Sequence, residues 1–350
     1  MKTAIFLGAG ASKADGAPLQ SEILFEYFNS EKFKNSKENM DLQIGEFFKS
    51  MFDIDVWNVK GNTYFPKFEE ALGMLDLAKE RGESFLNFGD VNNLIYNEKI
   101  DRLRIYFVFL LAITIGDKVK ADNYHKKLLE NLKANDILKD ITFVSTNYDL
   151  LIDDAIREVV SEYKINYGIE QLAGEELSCD VKSKIDLLKI HGSLNWLYCP
   201  ACNKLYRKEI SITEINKELG GEYLRCDNCK CSRIPIMVPP SYYKDMTNIY
   251  LSTIWHLAEQ KLLEVDHLIF CGYSFPNADM HIKYLLKRAQ VNRKSSKLKI
   301  TVINDFDNKE ESKRLMEANR YKRFFGEDVN FEMISFEEFA LDPMKIIKNT

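Results

Sequence analysis

Short apolar runs alternate along the chain with stretches in which apolar residues return every three or four positions. The runs Lys2–Leu7, Ile141–Ser145, Ile185–Ile190, His267–Cys271 and Leu298–Ile303 have the pattern of parallel strands buried on both faces. Helical spacing fills Leu150–Val160, Met246–Val265 and Ala278–Ala289 between them. Beyond Asp307 the pattern predicts a helical stretch of mixed charge, a short strand near Phe331–Ile334 and a last helix, at an edge of the same sheet. From 31 to 136 no strand stands out, while Phe68, Ala71, Leu72, Leu75 and Leu103, Phe107, Leu110, Leu111 recur at helical spacing. The aromatic group Phe47, Phe48, Phe52, Trp57, Tyr64, Phe65 and Phe68 is read as core of that region rather than as a ligand wall or a subunit interface.

The alternation predicts an α/β fold with a doubly wound parallel sheet and two excursions. At 350 residues the chain exceeds a usual single core, so modules are expected. Residues 1–30, 137–195 and 236–350 would form the sheet domain, 31–136 a helical module and 196–235 a small cysteine-bearing module.

Candidate chemistry gathers at the ends of the expected strands, where open α/β sheets bind ligands. Gly8-Ala9-Gly10-Ala11-Ser12 follows the first strand; its glycines allow a sharp bend and close approach to a pyrophosphate, and a helix beginning near Pro18 would add its positive end. The third glycine of the full dinucleotide fingerprint is missing, so the loop by itself also fits a plain tight turn. Thr146-Asn147-Tyr148-Asp149 ends the second strand. Thr146 or Asp149 could cap the next helix, whereas the uncharged amide of Asn147 suits holding a ribose or a water beside a developing cation. His191-Gly192-Ser193 ends the third strand, and an imidazole there could take a proton from a hydroxyl or a water. Gly272-Tyr273-Ser274 and Asn304-Asp305 end the fourth and fifth; a glycine with a hydroxyl suits phosphate or ribose, and an Asn-Asp pair suits ribose hydroxyls, although turns favour the same residues.

Seven cysteines are too few for a disulfide scaffold in a chain of this length, and four of them form the pairs Cys199-x-x-Cys202 and Cys226-x-x-Cys229. Two such pairs can wrap one tetrahedral zinc, and four sulfurs leave no open position, so a structural ion is expected. Cys231 is an alternative to Cys229, and Cys179 and Cys271 are read as unpaired thiols. The module's basic residues, Lys204, Arg207 and Lys208 among them, are balanced by acidic ones, and the net charge is −5, so direct contact with nucleic acid is not expected. The apolar run Ile105–Ile115 is about half as long as a membrane span requires and reads as a buried helix. Glycines interrupt the apolar opening, which argues against a secretory signal and for the cytoplasm.

Taken in order, GAGAS at 8–12, TNYD at 146–149, HGS at 191–193, the two Cys-x-x-Cys pairs, GYS at 272–274 and IND at 303–305 resemble the sirtuin family. The resemblance implies a Rossmann-like NAD-binding domain with a helical module and a zinc ribbon. It implies that Ala9, Gly10, Ala11, Ser12, Gly272, Ser274, Asn304 and Asp305 contact NAD, with Gly8 and Tyr273 in the same loops, and that Asn147, Asp149 and His191 act at the nicotinamide ribose. Protein deacylases of the family carry an Ile-Pro-Asp-Phe-Arg segment after the glycine loop and a Phe-Gly-Glu segment after the ribbon. This chain has Ala17-Pro18-Leu19-Gln20-Ser21 and Ile236-Met237-Val238-Pro239-Pro240-Ser241 instead. Those departures resemble the divergent bacterial sirtuin-like branch that hydrolyses NAD in antiphage defence, whose members work as oligomers or with a separate activating partner such as an ATPase. A deacylase, an ADP-ribosyltransferase and a non-catalytic NAD or ADP-ribose sensor are the competing readings.

Overall fold

The computed structural model describes residues 1–35, 39–83, 93–120, 122–169, 183–207, 225–237, 248–294, 297–304 and 310–348. Its centre is a parallel sheet of seven strands in the order β10-β9-β8-β1-β2-β4-β3. These are β1 (Thr3–Leu7), β2 (Ile141–Ser145), β3 (Lys164–Asn166), β4 (Lys184–Lys189), β8 (His267–Cys271), β9 (Lys299–Ile303) and β10 (Val329–Glu332). All five positions of β1, β2 and β8 are buried, as their mostly apolar sequences suit strands covered on both faces. From β1 the chain builds outward through β8, β9 and β10 on one side and through β2 on the other, where β4 returns to lie between β2 and the edge strand β3, a Rossmann-like doubly wound order whose reversal lies beside β1.

Helices Tyr124–Ala134, Leu151–Val159 and Phe336–Leu341 pack together, as do Ile249–Glu264 and Met280–Val291. The expected edge strand is β10, which pairs with β9. Two elements of this sheet layer escaped the hydrophobic pattern. β3 is a three-residue edge strand, and a six-residue helix, Ala9–Ala14, starts directly after Gly8. The helix expected near Pro18 begins at Gln20, so the helix end next to β1 belongs to Ala9–Ala14 instead.

A second apolar cluster joins helices Gln20–Phe28, Asn39–Phe52, Phe68–Arg81 and Asn93–Lys118. Phe47, Phe48 and Phe68 are fully buried in it, and Trp57 stacks on Phe33 with ring centroids 4.5 Å apart. Tyr64 departs from the expectation: it is 88% exposed. Phe107, Leu110 and Leu111 bury the expected helix within this cluster, and no described helix is long and apolar enough to cross a membrane.

A separate antiparallel sheet, β6-β5-β7, is built from β5 (Gly192–Cys199), β6 (Lys204–Arg207) and β7 (Ile234–Met237). Gly192 opens it with φ +86°, and a Cβ there would sit 2.0 Å from the Ile236 carbonyl oxygen. The glycine beside His191 is thus demanded by the meeting of two strands rather than by open room next to the imidazole.

His267 begins β8 with no exposed surface, and its Nε2 lies 2.8 Å from Thr301 Oγ1. Burial, helped by the Lys299 cation, lowers its pKa from 6.5 to about 4. The folded state therefore refuses a proton that the unfolded chain accepts, so this contribution is complete above pH 6.5 and lost as pH falls toward 4. Urea unfolding is expected to show about 2 kcal/mol less stability at pH 5 than at pH 7 from this group. Replacing His267 should remove that part of the slope; an unchanged slope would contradict the assignment.

Candidate active site

The carboxyl ends of β1, β2, β4 and β8 converge because each strand's ladder runs on into its loop. Thr146 N–H donates to the Leu7 carbonyl at 3.1 Å, Ile190 N–H to Ser145 at 3.0 Å and Gly8 N–H to Cys271 at 2.9 Å. Between these ends and the helical cluster lies a cavity of about 350 Å³. Ala9, Ser12, Thr146, Asn147, Tyr148, Asp149, His191, Gly272, Tyr273 and Ser274 line its sheet side, and residues 17–21, Phe68, Glu69, Leu111 and Ile115 its helical side.

The glycines of the first loop form a seam. Gly10 N–H donates to Gly272 O at 2.8 Å and Ala11 N–H to Gly8 O at 3.0 Å. A Cβ on Gly8 would lie 2.6 Å from Gly272 O, and one on Gly10 would lie 2.7 Å from Gly272 Cα. Gly272 itself has φ +62°, and a Cβ there would meet Ala11 N at 2.2 Å. These glycines let two loops close on each other, with the N–H groups of Gly8, Gly10 and Ala11 aimed at protein carbonyls. Gly8, Gly10 and Ala11 do not line the cavity among the described residues.

Asn147, Ser12 and Asp149 form a directed chain. Asn147 Nδ2 donates to Gly8 O at 2.9 Å and to Ser12 Oγ at 2.8 Å, and Ser12 Oγ donates to Asp149 Oδ2 at 2.7 Å. The Gly8 carbonyl can only accept, which fixes which end of the amide is nitrogen. Both amide hydrogens are then engaged and Asn147 Oδ1 remains as an acceptor. Asp149 Oδ1 accepts Leu151 N–H at 3.1 Å, so the carboxylate caps its helix and terminates the chain at once. Beneath it, fully buried Lys189 donates to the Asp149 carbonyl and pairs with Asp153 at 3.0 Å, while Tyr167 donates to the same Asp153 at 2.5 Å.

His191 sits at the turn between β4 and β5, with its ring stacked on Tyr148 at 6.1 Å. Its Nε2 is 2.8 Å from Nε2 of His281. Tyr273 donates to Asp279 at 2.6 Å. Desolvation, with the carboxylates of Glu69 and Asp279, raises both Tyr148 and Tyr273 well above the usual phenol range, so both stay neutral. Sequence reasoning passed over His281, Glu69 and Asp279. They sit near helix starts, where a polar residue gives no periodic signal.

Asn304 does not join the group: its amide donates to Glu317 on helix Glu311–Phe325, and it does not line the cavity. Asp305 lies outside the described residues.

The cysteine pairs do converge. The sulfurs of Cys199, Cys202, Cys226 and Cys229 all lie within 4.8 Å of one another, with Cys199–Cys229 at 3.5 Å and Cys202–Cys226 at 3.8 Å. A tetrahedral zinc with sulfur ligands places them about 3.8 Å apart, so the donor set fits such an ion. Cys231 is exposed and its sulfur lies outside this cluster, but its carbonyl accepts Cys226 N–H at 2.9 Å and its own N–H faces the Cys229 sulfur; Cys271 is a buried free thiol, and Cys179 lies outside the described residues. Arg233 pairs with Asp227 at 2.6 Å and covers the Tyr206 ring at 3.4 Å.

No curated protein sequence matches the chain. Among solved structures, a Sir2 complex with a p53 peptide and NAD+ is 14% identical, with 100% of this chain and 94% of that chain covered and a TM-score of 0.43. Sir2 with the inhibitor EX-527, 2'-O-acetyl-ADP-ribose and a deacetylated p53 peptide gives 16%, 100%, 95% and 0.41 in the same order. Sir2Tm bound to a propionylated peptide gives 14%, 100%, 94% and 0.42. A family model described as a SIR2-like domain matches residues 141–323, more than half of the chain. The protein belongs to the SIR2-like domain family.

Proposed function

We infer that this chain is an NAD glycohydrolase, cleaving NAD to nicotinamide and ADP-ribose in the cavity at the sheet's carboxyl edge, with antiphage defence by NAD depletion as its setting. The observation that carries the reading is the amide of Asn147, both of whose hydrogens are engaged, in a cavity that His191 also lines. Its remaining oxygen suits a water or a ribose hydroxyl. Nicotinamide leaves a cationic pyridinium as a neutral ring, so no acid has to protonate it. The site has instead to steady an oxocarbenium-like ribose and direct a nucleophile. Asn147 Oδ1 orients the water, His191 takes its proton, and the carboxylates of Glu69, Asp149 and Asp279 around the cavity favour the developing cation. The residues 17–21 that replace the deacylase segment line the same cavity, in keeping with water rather than an acyl-lysine as the second reactant.

The four thiolates would hold a structural zinc that fixes β5 to the ribbon. Metal analysis is expected to find one zinc per chain, and Cys226→Ser should lose it and open the ribbon to proteolysis. A metal-free wild type with an intact ribbon would count against the ion.

The activity is tested by incubating purified protein with NAD and following nicotinamide and ADP-ribose by mass spectrometry, alone and with its genomic neighbours, since assembly with further copies or with a separate ATPase is part of the reading. Loss of NAD only in the presence of an acylated peptide would mark a deacylase. Tight NAD binding without turnover in every assembly would mark a sensor.

A further inference from the structure

His191 and His281 approach through the same ring atom, Nε2 to Nε2 at 2.8 Å, which is a hydrogen bond between two imidazoles. A neutral imidazole has one N–H and one lone pair, so one ring donates and the other accepts. If His281 donates, the only lone pair of His191 is occupied and that ring can take no further proton. If His191 donates from Nε2, its Nδ1 keeps a lone pair and the ring remains a base.

We propose that His281 is a positioning residue that accepts the Nε2–H of His191, carries its own proton on Nδ1, and thereby holds His191 in the basic tautomer. The proposal rests on the reading of His191 as the base in NAD cleavage. In the chemical step a water O–H bond breaks and its proton joins Nδ1 of His191, the oxygen's pair forms the bond to the anomeric carbon, and the carbon–nitrogen bond breaks with its pair leaving on nicotinamide. The resulting imidazolium is stabilised because its Nε2–H already points at a lone pair.

The surroundings of His281 suit this task. It lies in the first turn of helix Met280–Val291, just after Asp279, so its ring is carried on a rigid element. Trp255 packs on His281 with ring centroids 5.2 Å apart, and its Nε1 donates at 2.8 Å to the carbonyl of Ile190, the residue before His191. One indole therefore braces both imidazoles. The hydrogen bond from Tyr273 to Asp279 ties the start of the same helix to the loop after β8.

The test is direct because the chain has only five histidines, and the other three have other partners: Asp15 for His125, Gln260 for His256 and Thr301 for His267. Long-range proton–nitrogen spectra of histidine-labelled protein, assigned by single replacements, are expected to show His191 protonated at Nε2 and His281 at Nδ1. His281→Phe should abolish the fixed tautomer of His191 and lower kcat for nicotinamide release at least about 10²-fold, the scale of lost general-base catalysis, with KM for NAD changed by less than about threefold. His281→Gln, whose amide oxygen falls near the position of Nε2, should restore most of the rate. Spectra with the proton on Nδ1 of His191 would overturn the proposal, as would a Phe variant as fast as wild type or a Gln variant as slow as Phe. A wild type that never cleaves NAD would instead remove the base reading, while the spectra still decide the tautomers.

Discussion

Asn147→Ala is expected to slow nicotinamide release at least about 10²-fold, roughly 3 kcal/mol of barrier, in a protein that still folds. The amide is locked by the Gly8 carbonyl at 2.9 Å and Ser12 Oγ at 2.8 Å, so its oxygen is fixed before substrate arrives. Alanine removes the oxygen together with the contact that orients Ser12. Asn147→Asp is an equally sharp probe, since it keeps the shape but sets a carboxylate oxygen against the Gly8 carbonyl with no hydrogen between them, and should be as slow as alanine. His191→Ala is expected to lose a comparable factor for want of a base. Initial rates at saturating NAD, with thermal midpoints to confirm folding, decide the matter; wild-type turnover in both alanine variants would take both residues out of the reaction.

Lys189→Met is expected to cost stability rather than chemistry, by about 3–5 kcal/mol. Lys189 and Asp153 are both fully buried and lie 3.0 Å apart. Removing the cation leaves a buried carboxylate held by the Tyr167 hydroxyl at 2.5 Å, with the Arg157 charge nearby. It also frees the Asp149 carbonyl that Lys189 holds. Adding Asp153→Leu to Lys189→Met should recover much of the loss, because a buried pair is costly mainly when it is broken on one side. Urea midpoints of the single and double variants test this. A single variant as stable as wild type would show that the pair is not the buried contact it is taken for.

The sheet was readable from sequence where local pattern and tertiary environment agree. Ile141–Ser145 and His267–Cys271 have the limits their mostly apolar runs predict, because each is covered on both faces. Lys164-Ile165-Asn166 hides for the opposite reason, as an edge strand with one buried residue of three. Ala9–Ala14 reads as a loop because glycine and serine are poor helix formers, and it exists through its seat between β1 and the Gly272 turn. At the site, Asn147, Asp149 and His191 were legible since strand ends and polar loops mark them. Their supports were not. Ser12 lines the cavity as a ligand contact would, but the engagement of its hydroxyl by Asn147 and Asp149 spans 135 and 137 positions of sequence; the approach of His281 to His191 spans 90. Such pairings follow from how helices dock on the sheet, which no local window contains.

The turn at His191 joins two sheets with no linker between them: β4 ends at Lys189, β5 begins at Gly192, and the far end of β5 is Cys199 of the four-cysteine cluster. An eight-residue strand is a stiff strut of about 26 Å. The histidine thus inherits its bearing from two anchorages at once, a parallel core on one side and a cluster of four cysteines on the other, and it has no slack with which to wander from either.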